Sequence, residues 1–104
     1  MMLVTTDEVP GHTIRKVHGL VYGVTVRGGH AGHDVNAMLK NLVGGEIEEY
    51  TKLIAEAREQ ALDRLVRHAE TKGANAVVAL RFTTSEVADG AAEFMSYGTA
   101  VTIE

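Results

Sequence analysis

Residues 46–75 read EIEEYTKLIAEAREQALDRLVRHAETKGAN, and they predict a long amphipathic helix around which the other elements are arranged. Acidic residues lie in its first turns and basic residues in its last turns, as the helix dipole favours. Gly73 is a typical stop, so the helix is predicted over residues 46–72. Apolar residues recur at steps of three and four, as one buried helix face requires: Ile47, Tyr50, Ile54, Ala57, Ala61, Leu65 and Ala69.

Segments rich in β-branched residues lie on both sides of this helix and predict strands. The predicted strands cover residues 2–6, 13–27, 75–87 and 93–103, with a hairpin signal at Asp89-Gly90. A short helix capped by Asp34 is predicted before the long one, because apolar residues follow at helical spacing: Val35, Met38, Leu39 and Leu42. We therefore expect one α+β domain over residues 1–104, with a curved, mostly antiparallel sheet, one long helix and one short helix.

Composition excludes several classes of protein. The chain has 104 residues, 45% of them hydrophobic, which suits one small folded domain and rules out disorder as the main state. It has no cysteine, so disulfides, thiolate metal sites and cysteine nucleophiles are excluded. A net charge of −4 argues against nucleic acid as a partner. With no long apolar run and no signal-like start, no membrane association is expected, and we predict a cytoplasmic protein.

The apolar surface of the long helix predicts self-association. Leu53 on one shoulder and Leu62 and Val66 on the other widen its apolar arc well beyond the roughly 100° that one sheet can cover. In residues 20–26, apolar side chains occur on both faces of the predicted strand, which is typical of a strand that is covered on both sides. Excess apolar surface on a small domain usually marks an interface, so a homo-oligomer is expected. The alternative is a compact monomer whose short helix covers one shoulder.

Several motifs along the chain resemble those of the YbjQ-like family. They run in order through nearly the whole sequence: Thr5-Thr6, Gly11, Ile14, Gly19, Val21, Gly23, Leu42 to Gly45, Tyr50, Ala57-Arg58, Ala61, Gly73 to Val78, and Gly98 to Val101. The resemblance implies a subunit with a dodecin-like fold that forms a ring of five copies, in which short strands join neighbours. It also implies heavy-metal binding, the one function attached to the family.

One cluster has spacing that suits metal ligands. His30 and His33 lie three residues apart in a glycine-rich segment, next to Asp34, and could hold Zn²⁺, Ni²⁺ or Cu²⁺. Three ligands fall short of a closed four-ligand site, although symmetry in a ring could bring two such sites together. The alternative is a solvated loop in which Asp34 caps the short helix. Without thiolates, which soft metals prefer, we expect no tight metal uptake.

A single arginine interrupts the apolar face of the long helix. Because a buried guanidinium must be paired, Arg58 is predicted to meet a carboxylate, backbone carbonyl oxygens or an anionic ligand. The candidate carboxylates are Glu86, Glu93 and Asp34.

The sequence contains no hydrolase elbow, no phosphate-binding loop and no dinucleotide-binding glycine pattern. We therefore predict a non-enzymatic homo-oligomeric protein that binds a metal ion or a small molecule of unknown identity. The alternative is a structural or protein-interaction ring without a small ligand, and a third possibility is an enzyme with its site between subunits.

Overall fold

The fold is one helix packed on one face of a four-stranded sheet. A computed structural model describes residues 1–28, 48–88 and 90–104. Its strands are β1 (Met2–Leu3), β2 (Ile14–Gly28), β3 (Ala76–Ala88) and β4 (Ala91–Ile103), and its helix α1 is Glu48–Thr71. The predicted short helix from Asp34, the first two residues of the predicted long helix and Asp89 lie outside the described residues.

The four strands form one mixed sheet in the order β1-β3-β4-β2. The pairs β2–β4 and β3–β4 are antiparallel, and β1–β3 is parallel, so the prediction of a mostly antiparallel sheet is confirmed. The first strand is shorter than predicted. Backbone hydrogen bonds do continue from β3 to Thr6, but Ala79 adopts a left-handed φ of 53°, which interrupts the regular ladder at that point.

Two apolar clusters form the core, one on each face of the sheet. The cluster under α1 contains Val21, Leu65, Ala69, Val77, Leu80 and Ala100. The cluster on the opposite face contains Val9, Ala76, Val78, Val101 and Ile103, with Val4 and Ile14 packed against it. The segment between β1 and β2 therefore covers the end of the sheet where β1 pairs, and it leaves the rest of that face open.

Gly23 and Ser96, which face each other across β2 and β4, determine how closely α1 approaches the sheet. A Cβ atom on Gly23 would lie 1.9 Å from the carbonyl oxygen of Ala61, so only glycine fits there. The buried Ser96 hydroxyl donates a hydrogen bond to that same oxygen at 2.8 Å. Ala61 of α1 therefore packs directly on Gly23 and Ser96 of the sheet.

Thr25 carries a buried hydroxyl with no hydrogen-bond partner among the described residues, and it provides a test of the core. Its side chain is 2% exposed. We expect Thr25→Val, which keeps the shape and removes the unpaired hydroxyl, to raise the free energy of unfolding by about 1 kcal/mol in urea denaturation. The matched control is Thr102→Val: the Thr102 hydroxyl lies 2.7 Å from His18 Nε2, so its loss should lower stability by about 1 kcal/mol. A loss of stability in Thr25→Val would contradict this account.

The prediction that Arg58 is buried is wrong: the residue is exposed. Two hydrogen bonds show how far β2 extends along α1. His68 pairs with Tyr22, and Gln60 pairs with Arg27, which lies one residue before β2 ends at Gly28. Arg58 precedes Gln60 and therefore lies at the margin of the sheet. A long, flexible side chain at such a margin keeps its charge in water.

Candidate functional site

Apolar side chains remain exposed on the sheet face opposite α1. Leu20 is 64% exposed, Val26 56% and Tyr22 50%, all on β2. Tyr97 of β4, directly opposite Tyr22, is 36% exposed, and Met95 beside it is partly buried. We call these five residues the open face. Contiguous apolar surface of this kind is uncommon on a small monomeric domain and marks a binding surface.

The open face contains a shallow groove. Leu20, Tyr22, Met95 and Tyr97 line a depression of about 200 Å³. None of these four side chains is charged, and two of them are aromatic rings that carry a hydroxyl. The groove therefore suits an apolar surface or an apolar group, because the burial of apolar side chains is favourable. Its four lining side chains include no carboxylate, imidazole, amine or thiol that could act as a general base or a nucleophile.

The distal half of β3 is exposed as well. All residues from Arg81 to Ala88 are exposed, including Phe82 at 45% and Val87 at 52%, since α1 packs mainly on β2 and β4. The backbone hydrogen bonds from β3 to the first residues of the chain end at Leu80. The Arg81 guanidinium donates to the Thr5 and Leu80 carbonyl oxygens, and the residue is exposed.

The β2 edge of the sheet, in contrast, carries side chains of α1. The Nδ1 atom of His68 accepts a hydrogen bond from the backbone N–H of Tyr22 at 3.2 Å. Arg64 donates to the carbonyl oxygen of Val24, and Arg27 of the strand donates to Gln60 at 3.1 Å. In the part of the chain that the structure describes, β2 is the last strand of the sheet, so side chains of the helix bind the backbone groups of Tyr22 and Val24 where a neighbouring strand would otherwise pair.

The helix shoulders are not the free surface that the sequence suggested. Leu62 and Val66 are partly buried and pack against the core cluster under α1, and Leu53 is also partly buried. In the single chain only the helix side of β2 is buried, and the second apolar face, which the sequence predicts to be covered by another copy, is exposed. The sequence indicated surplus apolar surface on β2, because apolar residues occupy both alternating sets of positions, but it did not show which of them form the open face.

The predicted metal ligands His30, His33 and Asp34 lie outside the described residues. Within residues 1–28, 48–88 and 90–104, no group of three or more histidine, cysteine, aspartate or glutamate side chains could hold a metal ion. The remaining histidines are dispersed: His18 pairs with Thr102, His68 contacts Tyr22, and His12 is exposed.

The fold and the open face define a class of protein, a small α+β domain with one helix on one face of a four-stranded mixed sheet and an apolar surface on the other. Over residues 1–104 the chain matches the YbjQ-like family, described as "Putative heavy-metal-binding", and it belongs to that family.

No helix in the described part of the chain is long and apolar enough to cross a membrane.

Relatives in distant organisms are about half identical to this chain. It is 52% identical over 104 residues to a UPF0145 protein of Clostridioides difficile, covering 100% of this chain and 93% of that protein. It is 51% identical to UPF0145 proteins of Pyrococcus horikoshii, covering 89% of that protein, and of Dehalococcoides mccartyi, covering 100%. These names state no enzymatic activity.

A solved structure shares the fold. It is the crystal structure of a protein of unknown function from the DUF74 family of Pediococcus pentosaceus, with a TM-score of 0.68 and 18% sequence identity. The match covers 100% of this chain and 98% of that one. At this identity the likeness supports the fold alone.

Proposed function

We propose that this protein is a non-enzymatic homo-oligomer that binds a metal ion or a small molecule, and that its open face is buried between copies. The exposed apolar side chains of Leu20, Tyr22 and Val26 are the observation that supports this proposal most strongly. Removing apolar surface from water is worth about 25 cal/mol per Å², so a patch of large side chains favours association.

The resemblance to the YbjQ-like family suggests five copies in a closed ring. A ring of this kind uses two different surfaces on each copy. The chain offers two such surfaces, the open face and the exposed distal half of β3 from Arg81 to Ala88. The β2 edge is less suited to strand pairing, because His68 and Arg64 already bind backbone groups of Tyr22 and Val24.

The molar mass in solution tests the assembly. Light scattering coupled to size exclusion is expected to give about 56 kDa, which corresponds to five copies of the 11.2 kDa chain. A monomer of about 11 kDa at micromolar concentration would contradict the proposal. Native mass spectrometry of untagged protein then distinguishes a binding protein from its alternative, a structural or protein-interaction ring: a bound mass supports the first and a ring free of ligand supports the second.

For a metal ligand, we propose His30, His33 and Asp34 as the binding residues. Two imidazoles and one carboxylate make an incomplete site, so calorimetric titration with Zn²⁺ or Ni²⁺ is expected to show no tight stoichiometric uptake. Any weaker uptake should disappear in the double variant His30→Ala and His33→Ala while the circular dichroism spectrum is retained. Tight uptake that survives in this double variant would exclude these residues as the ligands.

A further inference from the structure

His68 of α1 contacts the backbone and the ring of the same strand residue. Its Nδ1 atom lies 3.2 Å from the Tyr22 amide nitrogen and 3.4 Å from the Tyr22 carbonyl oxygen. The two rings meet edge to face, with centroids 5.0 Å apart and an interplanar angle of 82°. Tyr22 also lines the groove of the open face, so one helix residue is in contact with a wall of that groove.

The contact with the amide requires a neutral imidazole. A neutral ring can accept a hydrogen bond at Nδ1, whereas a protonated ring carries a hydrogen on both nitrogens and can only donate. Protonation would leave the Tyr22 N–H without its acceptor at the edge of the sheet, and it would direct an N–H donor toward the Tyr22 carbonyl oxygen instead. Histidine is the side chain that most often makes such a change between pH 5 and 8.

We propose that His68 is a pH-sensitive connection between α1 and the open face. The neutral ring accepts from the Tyr22 N–H and holds Tyr22 in position for association. Protonation removes this acceptor and turns the ring toward the Tyr22 carbonyl oxygen, which shifts Tyr22 and weakens association. The part of this inference that concerns association rests on the proposed function; the contact itself does not.

The charged groups described around His68 do not include one that would stabilise its protonated form in this contact. On α1, Arg64 lies one turn before it and binds the Val24 carbonyl oxygen, and Lys72 follows directly after α1 ends at Thr71. Arg67 and Glu70 are nearby along the helix and exposed. From β2, the titratable group that faces His68 is the Tyr22 phenol. Among the described residues, the contacts of His68 include no carboxylate that would balance an imidazolium charge.

Two readouts on the full chain between pH 8 and 5 test the proposal. In nuclear magnetic resonance spectra, the Tyr22 amide and ring signals are expected to follow the titration of the His68 ring. By light scattering across a dilution series, the association constant should fall by about three- to tenfold as the ring protonates, which is the value of one hydrogen bond. His68→Gln, whose amide oxygen can still accept from Tyr22 but does not titrate, should remove both changes. His18→Gln is the matched control and should retain both.

The two readouts separate the possible failures. Tyr22 signals that do not follow His68, or that change with pH in His68→Gln as in the native chain, would overturn the contact as a switch. Tyr22 signals that follow His68 while the association constant stays unchanged would overturn its connection to the open face. A chain that is monomeric at every pH would overturn the proposed function and this connection together, and the Tyr22 signals would still decide the contact.

Discussion

Gly23→Ala is expected to lower the free energy of unfolding by about 3 kcal/mol or more. The added methyl group would lie 1.9 Å from the Ala61 carbonyl oxygen and 2.5 Å from the Leu65 backbone nitrogen. Both are backbone atoms of α1, so no side-chain rotation can relieve the overlap. The helix must move away from β2, which would also lengthen the buried hydrogen bond from Ser96 to Ala61.

Urea unfolding at one fixed protein concentration measures the effect, because association adds a concentration-dependent term to stability. Gly19→Ala on the same strand is the matched control. A Cβ at Gly19 would meet nothing within 4 Å, but its φ of +109° is strained for alanine. That variant should therefore lose only about 1–2 kcal/mol. Gly23 itself has no left-handed φ, so a loss there no larger than at Gly19 would show that α1 relieves the contact at little cost, and would contradict the prediction.

Leu20→Glu is expected to convert the assembly into smaller species. The Leu20 side chain is 64% exposed in the single chain, so a carboxylate there should cost little folding stability. In a packed contact between copies the same carboxylate would lose its water, which costs several kcal/mol. The molar mass from light scattering should accordingly fall from about 56 kDa, the value for five 11.2 kDa chains, toward that of one chain.

Ala55→Glu is the matched control, since it adds the same charge at an exposed position of α1 and should leave the mass unchanged. Val66→Glu is a poorer probe of assembly, because Val66 packs against the core under α1 and its replacement would first destabilise the fold. An assembly that keeps its full mass in Leu20→Glu would exclude the open face as the contact between copies, and the exposed half of β3 would then be the next surface to test.

Local patterns determined the elements of the fold. The three- and four-residue spacing from Ile54 to Ala69 predicted α1, and its buried residues Ala57, Ala61, Leu65 and Ala69 are the predicted stripe. The β-branched segments predicted the three long strands to within two residues at each end. Such patterns act over one turn of a helix or a few residues of a strand, so the sequence carries them directly.

The tertiary structure decided which apolar surfaces are covered. The sequence marked both the helix shoulders and β2 as too apolar for one chain, but it could not show that Leu62 and Val66 pack on the core while Leu20 and Tyr22 remain exposed. It also could not show that Arg58 lies at the margin of the sheet. These outcomes depend on how closely α1 packs on Gly23 and on where β2 ends relative to the helix. Both features arise from contacts between residues more than thirty positions apart in the chain.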